Sequence, residues 1–297
     1  VLQQIQAGTN LSKALGKYPQ YFSKIYIASI KAGEAGGLLD QVLVRLADNL
    51  DKEREFRGKI KGAMVYPTII LLGMVAVVFI MMTMVIPQLT KLYKEFNATL
   101  PFATQLLISL SDLFVNFWWL MILSGIGVFF LYRSWSKSLL GKALLDKLTL
   151  QIPIWGKIKK ETILAEFTRT LGLLVGTGLP IIDALNIVAE SIDNTLYKEG
   201  ILDAAGKVEK GFPLGVLLSQ NSVFPPIVGQ MTRVGEETGK LDQALLKLAT
   251  YFESESEEML KGLTTAIEPL IMIVLGLGVA FLIWAIIMPI YKLTESF

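Results

Sequence analysis

The features that most constrain the fold are three long runs of residues without any charge. They extend from Gly62 to Leu89, from Leu113 to Tyr132 and from Pro269 to Tyr291. At about 1.5 Å per residue in a helix, each run is long enough to cross a hydrocarbon core about 30 Å thick. Lipid offers the backbone no hydrogen-bond partners, so each run predicts a membrane-spanning helix.

Basic residues flank these runs unevenly, and this asymmetry predicts their direction. Only Lys91 and Lys94 lie between the first two runs, whereas many basic residues precede the first or follow the second: Lys52, Arg54, Arg57, Lys59, Lys61, Arg133, Lys137, Lys142 and Lys147. Lysine and arginine accumulate on the cytoplasmic side of membrane helices. We therefore expect the N-terminal segment and the segment after residue 132 to be cytoplasmic, and residues 90–112 to face outward.

The composition excludes most catalytic and metal-binding chemistry. The chain contains no cysteine and no histidine, so it has no disulfide, no thiol nucleophile, no His-dependent triad and no Cys/His zinc site. The segment Gly235–Lys240 also differs from a phosphate-binding loop, which has four residues between its glycines and a Ser or Thr after its lysine. A net charge of +2 gives no reason to expect nucleic acid. We expect no enzyme activity, cofactor or metal.

An internal repeat organises the chain. The segment Lys31–Gln41 matches Arg233–Gln243, with Gly-Glu-x-x-Gly-x-Leu-Asp in both copies. The same offset relates Pro67 to Pro269 and Pro87 to Pro289. Self-similarity over so long a stretch indicates two copies of one structural unit. Two units that each run into an outward-going helix need a returning span between them, and the second apolar run supplies it.

The expected fold is therefore an all-α membrane protein with two repeated cytoplasmic helical-bundle domains and three transmembrane helices. In the repeat register the first domain would start upstream of Val1, so we expect it to be truncated at its N-terminal end. The boundaries are a partial first cytoplasmic domain (1–61), transmembrane helix 1 (62–89), an extracytoplasmic loop (90–112), transmembrane helix 2 (113–132), a cytoplasmic linker (133–160), the second cytoplasmic domain (161–268), transmembrane helix 3 (269–291) and an extracytoplasmic tail (292–297).

Turn-forming residues divide the second domain into short helices. Breaks are predicted at Gly178-Leu-Pro180, Asn194, Gly211-Phe-Pro213 and Phe224-Pro-Pro226. Between them, apolar residues recur at helical spacing. A bundle of about six short helices is the packing that this pattern favours.

The repeated motif has a structural and a functional interpretation. Its glycines stop a helix and its acidic residues suit the start of the next one. Alternatively, the acidic residues form a surface for a basic partner. The candidate partner-binding residues are Glu34, Asp40, Arg169, Arg233, Glu236, Glu237 and Asp242. The structural positions are Gly33, Gly37, Pro67, Pro87, Gly235, Gly239, Glu268, Pro269 and Pro289, with Pro67 and Pro269 expected near the starts of spans and Glu268 expected as a helix cap.

Several short motifs together resemble one family over essentially the whole chain. They are Gly-Glu-x-x-Gly-x-Leu-Asp in both halves, Tyr66-Pro67, Glu268-Pro269, Leu100-Pro101, Ile152–Gly156, Phe167–Leu171 and Gly178–Pro180. In this order they resemble the type II secretion F protein and type IV pilus platform (PilC) family.

This resemblance implies a multi-pass protein of the bacterial inner membrane, with its N-terminal side cytoplasmic and its C-terminal tail outside. Such a platform couples a cytoplasmic hexameric assembly ATPase to the insertion of pilin or pseudopilin subunits into a fibre. Further expected partners are other inner-membrane assembly proteins, a second copy of the chain and the lipid bilayer. The alternative is a subunit of a transporter or channel, and a membrane hydrolase is a third interpretation.

Overall fold

Helices make up nearly all of the residues that the computed structural model describes, namely 1–88, 91, 102–136 and 138–294. No β-strand occurs among them. The helices are α1 (Leu2–Gln6), α2 (Leu11–Gly16), α3 (Lys24–Gly36), α4 (Leu39–Ile80, followed by a π-helical segment Met81–Val85), α5 (Phe102–Trp135), α6 (Leu139–Gln151), α7 (Trp155–Gly176), α8 (Ile181–Ser191), α9 (Thr195–Val208), α10 (Leu214–Gln220), α11 (Pro226–Thr238) and α12 (Leu241–Thr294).

The short helices of the second half end where the sequence predicts. Gly178 has φ +83° and Gly211 has φ +90°, a left-handed conformation that glycine adopts without steric cost. Asn194 caps α9, because its side-chain oxygen accepts hydrogen bonds from the backbone N–H groups of Leu196 and Tyr197. Pro226 occupies the first turn of α11, where no intrahelical N–H bond is lost.

The chain forms two compact units. The first, called here the helical unit, comprises Val1–Ile60 and Ser138–Leu260. The second, called the span unit, comprises Lys61–Lys137 and Lys261–Phe297.

The helical unit has one main apolar core and one smaller cluster. Phe224 lies in the main core between the rings of Phe167 and Tyr197, with centroid distances of 5.3 and 5.7 Å. In the smaller cluster, Leu15, Ile30, Val42 and Leu46 from the N-terminal segment pack with Leu173 of α7. The segments predicted as two cytoplasmic domains thus share one compact unit, because α7 completes the apolar cluster of the first segment.

The segment 133–160, predicted as a linker, contains α6 and the start of α7. Both helices are parts of the helical unit from Ser138 onward.

Among the described residues, two helical stretches are long and apolar enough to cross a membrane: Leu39–Gln88 and Leu241–Ala280. They include the first predicted span up to Gln88 and part of the third. The second predicted span lies within α5, which has a kink at Phe117 (φ −120°, ψ 15°). Its crossing of the membrane stays a prediction.

Within the span unit, α5 contacts the π-helical segment. The Ser111 hydroxyl donates a hydrogen bond of 2.5 Å to the Met82 carbonyl oxygen. A hydrogen bond between helices satisfies polar groups that lipid would leave unpaired.

The expected helix starts at the prolines and at Glu268 are wrong. Pro67 lies inside α4, and Pro269 and Glu268 lie inside α12, which begins at Leu241. Glu268 therefore cannot cap that helix, because a cap residue precedes the first helical turn. Pro87 follows the π-helical segment and is itself helical, and Pro289 lies within α12. Most of the predicted loop 90–112 before Phe102, including Leu100-Pro101, and residues 295–297 of the predicted tail lie outside the described residues.

Candidate partner-binding surface

The glutamate of the first motif copy holds the start of a neighbouring helix. Glu34, near the end of α3, accepts hydrogen bonds from the backbone N–H groups of Leu11 (2.5 Å) and Ser12 (3.2 Å) and from the Ser12 hydroxyl (2.5 Å). Partial burial acts to raise the pKa of Glu34, but these hydrogen bonds outweigh it and hold the pKa below its usual value. Glu34 is thus a cap for α2 rather than part of the helix that follows the motif.

The second copy repeats this arrangement. Glu236, near the end of α11, accepts hydrogen bonds from the backbone N–H groups of Leu214 (2.8 Å) and Gly215 (2.9 Å), the first two residues of α10. A carboxylate at a helix N-terminus satisfies N–H groups that have no intrahelical partner. In both copies the motif glutamate joins two antiparallel short helices into a hairpin, which leaves its carboxylate engaged within the protein.

The first glycine of each copy permits close helix packing. A Cβ atom on Gly33 would lie 2.9 Å from Val42 Cγ2, and one on Gly235 would lie 2.9 Å from Ala244 Cβ and from Leu241 Cα. These distances are too short for carbon atoms in ordinary contact. Gly33 and Gly235 therefore let the end of the hairpin approach the first turns of α4 and α12.

The second glycine of each copy ends a helix. Gly37 and Gly239 have φ +66° and +67°. The N–H of Leu38 bonds to Gly33 O, and the N–H of Lys240 bonds to Gly235 O, each at 2.9 Å. This is the Schellman pattern of helix termination, and the sequence predicts it from the glycines.

The motif aspartates open the long helices. Asp40 and Asp242 lie in the first turns of α4 and α12, where negative charge is favourable to the helix dipole. Asp242 Oδ2 also lies 3.9 Å from Arg45 Nη1 of α4. The same Arg45 nitrogen donates a 2.6 Å hydrogen bond to Gly176 O at the end of α7. Arg45 thus joins three helices of the helical unit.

Arg233 and Glu237 form an exposed ion pair on α11. Arg233 Nε lies 2.8 Å from Glu237 Oε1, one helical turn away. This carboxylate is the first cause of the raised pKa of Arg233. Exposed pairs of this kind contribute little to stability. Both side chains are accessible for a partner.

Arg169 is not a surface residue. It is 6% exposed, and its guanidinium donates through Nε (2.8 Å) and Nη2 to Glu253 Oε1 of α12. A buried arginine that lost this carboxylate would be left with an uncompensated charge. The pair therefore fixes α7 against α12 and leaves Arg169 little surface for another protein.

A cavity of about 260 Å³ lies beside this ion pair within the helical unit. Its charged lining residues are balanced, three acidic and three basic: Glu53, Glu166, Glu253, Arg57, Lys159 and Arg169. Protein atoms around Glu166 displace water and so raise the pKa of its carboxyl, whereas the positive charge of the nearby Arg57 acts to lower it. Among the described residues, no group of three His, Cys, Asp or Glu side chains could hold a metal ion.

The long helices run in the same direction through the helical unit. Arg45 of α4 faces Asp242 of α12, and further along both helices Lys59 lies 2.9 Å from Glu257. Because these two contacts follow the same order along both helices, α4 and α12 are parallel there. Sequence reasoning missed Arg45, Glu253 and Glu257, since a single charged residue on a helix carries no signal for its distant partner.

Comparison with known proteins gives the chain a family. The sequence pattern of the family described as type II secretion system (T2SS), protein F, matches residues 1–87 and 167–289. The chain belongs to this family. The two matched stretches end at Pro87 and Pro289, the positions that the internal repeat relates.

Relatives within the T2SS protein F family align over nearly the whole chain. The type IV pilus assembly protein PilC of Thermus thermophilus is 37% identical over 294 residues, which cover 99% of this chain and 72% of that protein. PilC of Pseudomonas aeruginosa is 36% identical over 295 residues, covering 99% of this chain and 79% of that protein. The type II secretion system protein F of Xanthomonas campestris is 35% identical over 293 residues, covering 98% and 72%.

Proposed function

We propose that this protein is an inner-membrane platform for the assembly of a type IV pilus or a type II secretion filament. The observation that carries the proposal is its alignment, over 98–99% of its length, with relatives named for pilus assembly and type II secretion. Two helical stretches able to cross a membrane support the location.

The proposed topology has two like-oriented units joined by a returning span. The parallel course of α4 and α12 through the helical unit supports this arrangement, because two parallel helices need a crossing between them to leave on the same side. The uncharged run within α5 is the candidate for that crossing. The N-terminal side is then cytoplasmic and the C-terminal tail extracytoplasmic.

In this role the helical unit binds a cytoplasmic hexameric ATPase, and the spans guide pilin or pseudopilin subunits into the fibre. Other inner-membrane assembly proteins and further copies of the chain complete the platform. Since Glu34 and Glu236 cap helices and Arg169 is buried, the accessible candidates for the ATPase contact are Arg233 and Glu237 on α11, with Asp40 at the start of α4.

A charge-swapped pair tests the ATPase contact. The double variant R233E/E237R keeps an ion pair on α11 but inverts the charge pattern that a partner would meet. The matched control is D203K/K207D, which swaps another exposed pair of the same spacing on α9. The measurement is copurification of the detergent-solubilised full chain with the assembly ATPase of its own machine, together with filament assembly in cells.

We expect R233E/E237R to lose ATPase and filaments while D203K/K207D retains both. Retention of both by R233E/E237R would remove α11 as the contact. Failure of the unmodified chain to bind the ATPase or to support filament assembly would contradict the platform function itself.

A further inference from the structure

An apolar surface lies on α6 and on the turn that follows it. Leu144 and Leu148 are 51% and 54% exposed, and Ile152, Ile154 and Trp155 are 47%, 50% and 43% exposed. We call these five residues the α6–α7 patch. Other side chains of α6 contact the start of α9 and the residue pair before it: Lys142 Nζ pairs with Asp193 at 2.7 Å, and Asp146 accepts hydrogen bonds from Thr195. Leu144, Leu148 and Ile152 are four residues apart, the spacing of one helix face.

The turn holds Ile154 in a strained conformation. Ile154 has φ 66° and ψ −59°, and the Trp155 N–H donates a 2.8 Å hydrogen bond to Pro153 O. This is a γ-turn of the rare, strained form. Ile154 is the one non-glycine residue with positive φ in the described part of the chain. Glycine would adopt this backbone freely. Half of the Ile154 side chain is exposed, so core packing does not account for an isoleucine at this position. A contact with another molecule would account for it.

Basic residues outnumber acidic ones in the segment that carries the patch. Residues 139–160 contain five lysines and one aspartate. The aspartate, Asp146, is engaged by Thr195, whereas Lys147, Lys157 and Lys160 are exposed. Basic residues beside exposed apolar side chains are typical of surfaces that bind anionic lipid.

The patch follows a predicted span closely in the sequence. Only residues 136–138 lie between α5, which contains the second uncharged run, and α6. Tryptophan is favoured at the boundary between lipid headgroups and hydrocarbon, because its ring is apolar and its N–H is polar.

We propose that the α6–α7 patch docks into the anionic cytoplasmic leaflet of the bilayer. Ile154 and Trp155 enter the region between headgroups and acyl chains, and Lys147, Lys157 and Lys160 bind lipid phosphates. This inference rests on the membrane location of the chain and is independent of the ATPase and pilin contacts.

The absence of cysteine allows a direct test. A nitroxide spin label is attached to I154C in the full chain, reconstituted in vesicles of phosphatidylcholine and phosphatidylglycerol. Collisions with dissolved oxygen, which concentrates in lipid, and with a water-soluble nickel chelate report its depth. V234C, on the exposed face of α11, is the matched control, and W155C gives a second position in the patch.

We expect labels at 154 and 155 to collide with oxygen and to be protected from the nickel chelate, whereas the label at 234 is open to the chelate. The variant K147Q/K157Q/K160Q should lose this protection, and K198Q/K207Q/K210Q, which neutralises three exposed lysines in and just after α9, should keep it.

Three results would overturn the proposal. Full access of the nickel chelate to residue 154 in chains that float with the vesicles would show that the patch faces water, with the membrane location intact. Protection from both reagents would show that protein covers the patch, either a second copy or a pilin-like subunit. A chain that does not float with vesicles would contradict the membrane location as well.

Discussion

Glu34 and Glu236 occupy the same place in the two motif copies and make the same hydrogen bonds, to the first two backbone N–H groups of α2 and α10. Glu237, which follows Glu236 in the sequence, faces solvent. Two adjacent glutamates in one motif therefore have different roles, which the sequence alone does not separate.

The pair Glu236 and Glu237 gives a matched test of this difference. We expect E236A to lower the free energy of unfolding by about 1–2 kcal/mol, because two N–H groups at the start of α10 lose their acceptor. E237A should change it by less than about 0.5 kcal/mol, since it removes only an exposed ion pair. Thermal unfolding of the detergent-solubilised chain, followed by circular dichroism, measures both. Equal effects of the two substitutions would contradict the capping role.

The lowered pKa of Glu34 predicts a pH-dependent contribution to stability. A carboxyl whose folded pKa is below its unfolded value of about 4.3 stabilises the fold fully above that pH and loses the effect as the pH falls through the folded pKa. The difference in melting temperature between the unmodified chain and E34Q should therefore be constant from about pH 7 to about pH 5 and shrink below about pH 4. A difference independent of pH would argue against an ionised Glu34 cap. E237Q provides the background for removal of an exposed carboxylate.

The buried ion pair predicts a large effect at Arg169. Replacing Arg169 by methionine leaves Glu253 buried without its partner, so we expect a loss of about 3 kcal/mol or more in unfolding free energy. The double variant R169M/E253M removes both charges and should recover much of that loss. Chemical unfolding in detergent measures the cycle. If the loss of unfolding free energy in the double variant equals the sum of the losses in R169M and E253M, the two residues do not act as a pair.

At the scale of elements, the positions of helix ends follow from local chemistry. Gly37, Gly178, Gly211 and Gly239 end or precede helices because each adopts positive φ. The prolines are the exception. Pro67 was expected near a start because its missing N–H is tolerated there, but α4 continues through it without a break. Proline has no N–H to donate, so α4 continues through this position at the cost of one intrahelical hydrogen bond.

Contacts between distant elements could not be predicted. Arg45 with Asp242, Lys59 with Glu257 and Arg169 with Glu253 each join residues far apart in sequence. Their residue types are ordinary for helix surfaces, and no spacing identifies the partner. For the same reason the sequence did not reveal that Val1–Ile60 packs into one unit with Ser138–Leu260, because apolar faces predict burial without saying against what.

Cross-linking tests the parallel course of α4 and α12. Since the natural chain has no cysteine, R45C/D242C and K59C/E257C create defined pairs. We expect a short bifunctional maleimide to link both pairs in the folded protein. The crossed combination R45C/E257C should not react, because its two positions lie several helical turns apart. Linkage of the crossed pair, with loss of the other two, would indicate antiparallel helices.

At the scale of the whole molecule, three crossings predict opposite sides for two segments. We expect L100C to react with a membrane-impermeant maleimide added outside intact cells, and K207C to react only after the membrane is permeabilised. The basic residues after the second apolar run favour this arrangement. The same side for both labels would leave two crossings or none between them and contradict the returning span. A variant with both cysteines blocked before permeabilisation controls for leakage.

The unbroken course of α4 and α12 has a geometric consequence. Each helix begins beside a motif glycine and includes residues of its own uncharged run, with no loop residue between the two. Successive residues of an α-helix are turned by about 100° around its axis. One residue inserted between the motif and the apolar run of either helix would therefore turn the side chains of that run by about 100° relative to the motif.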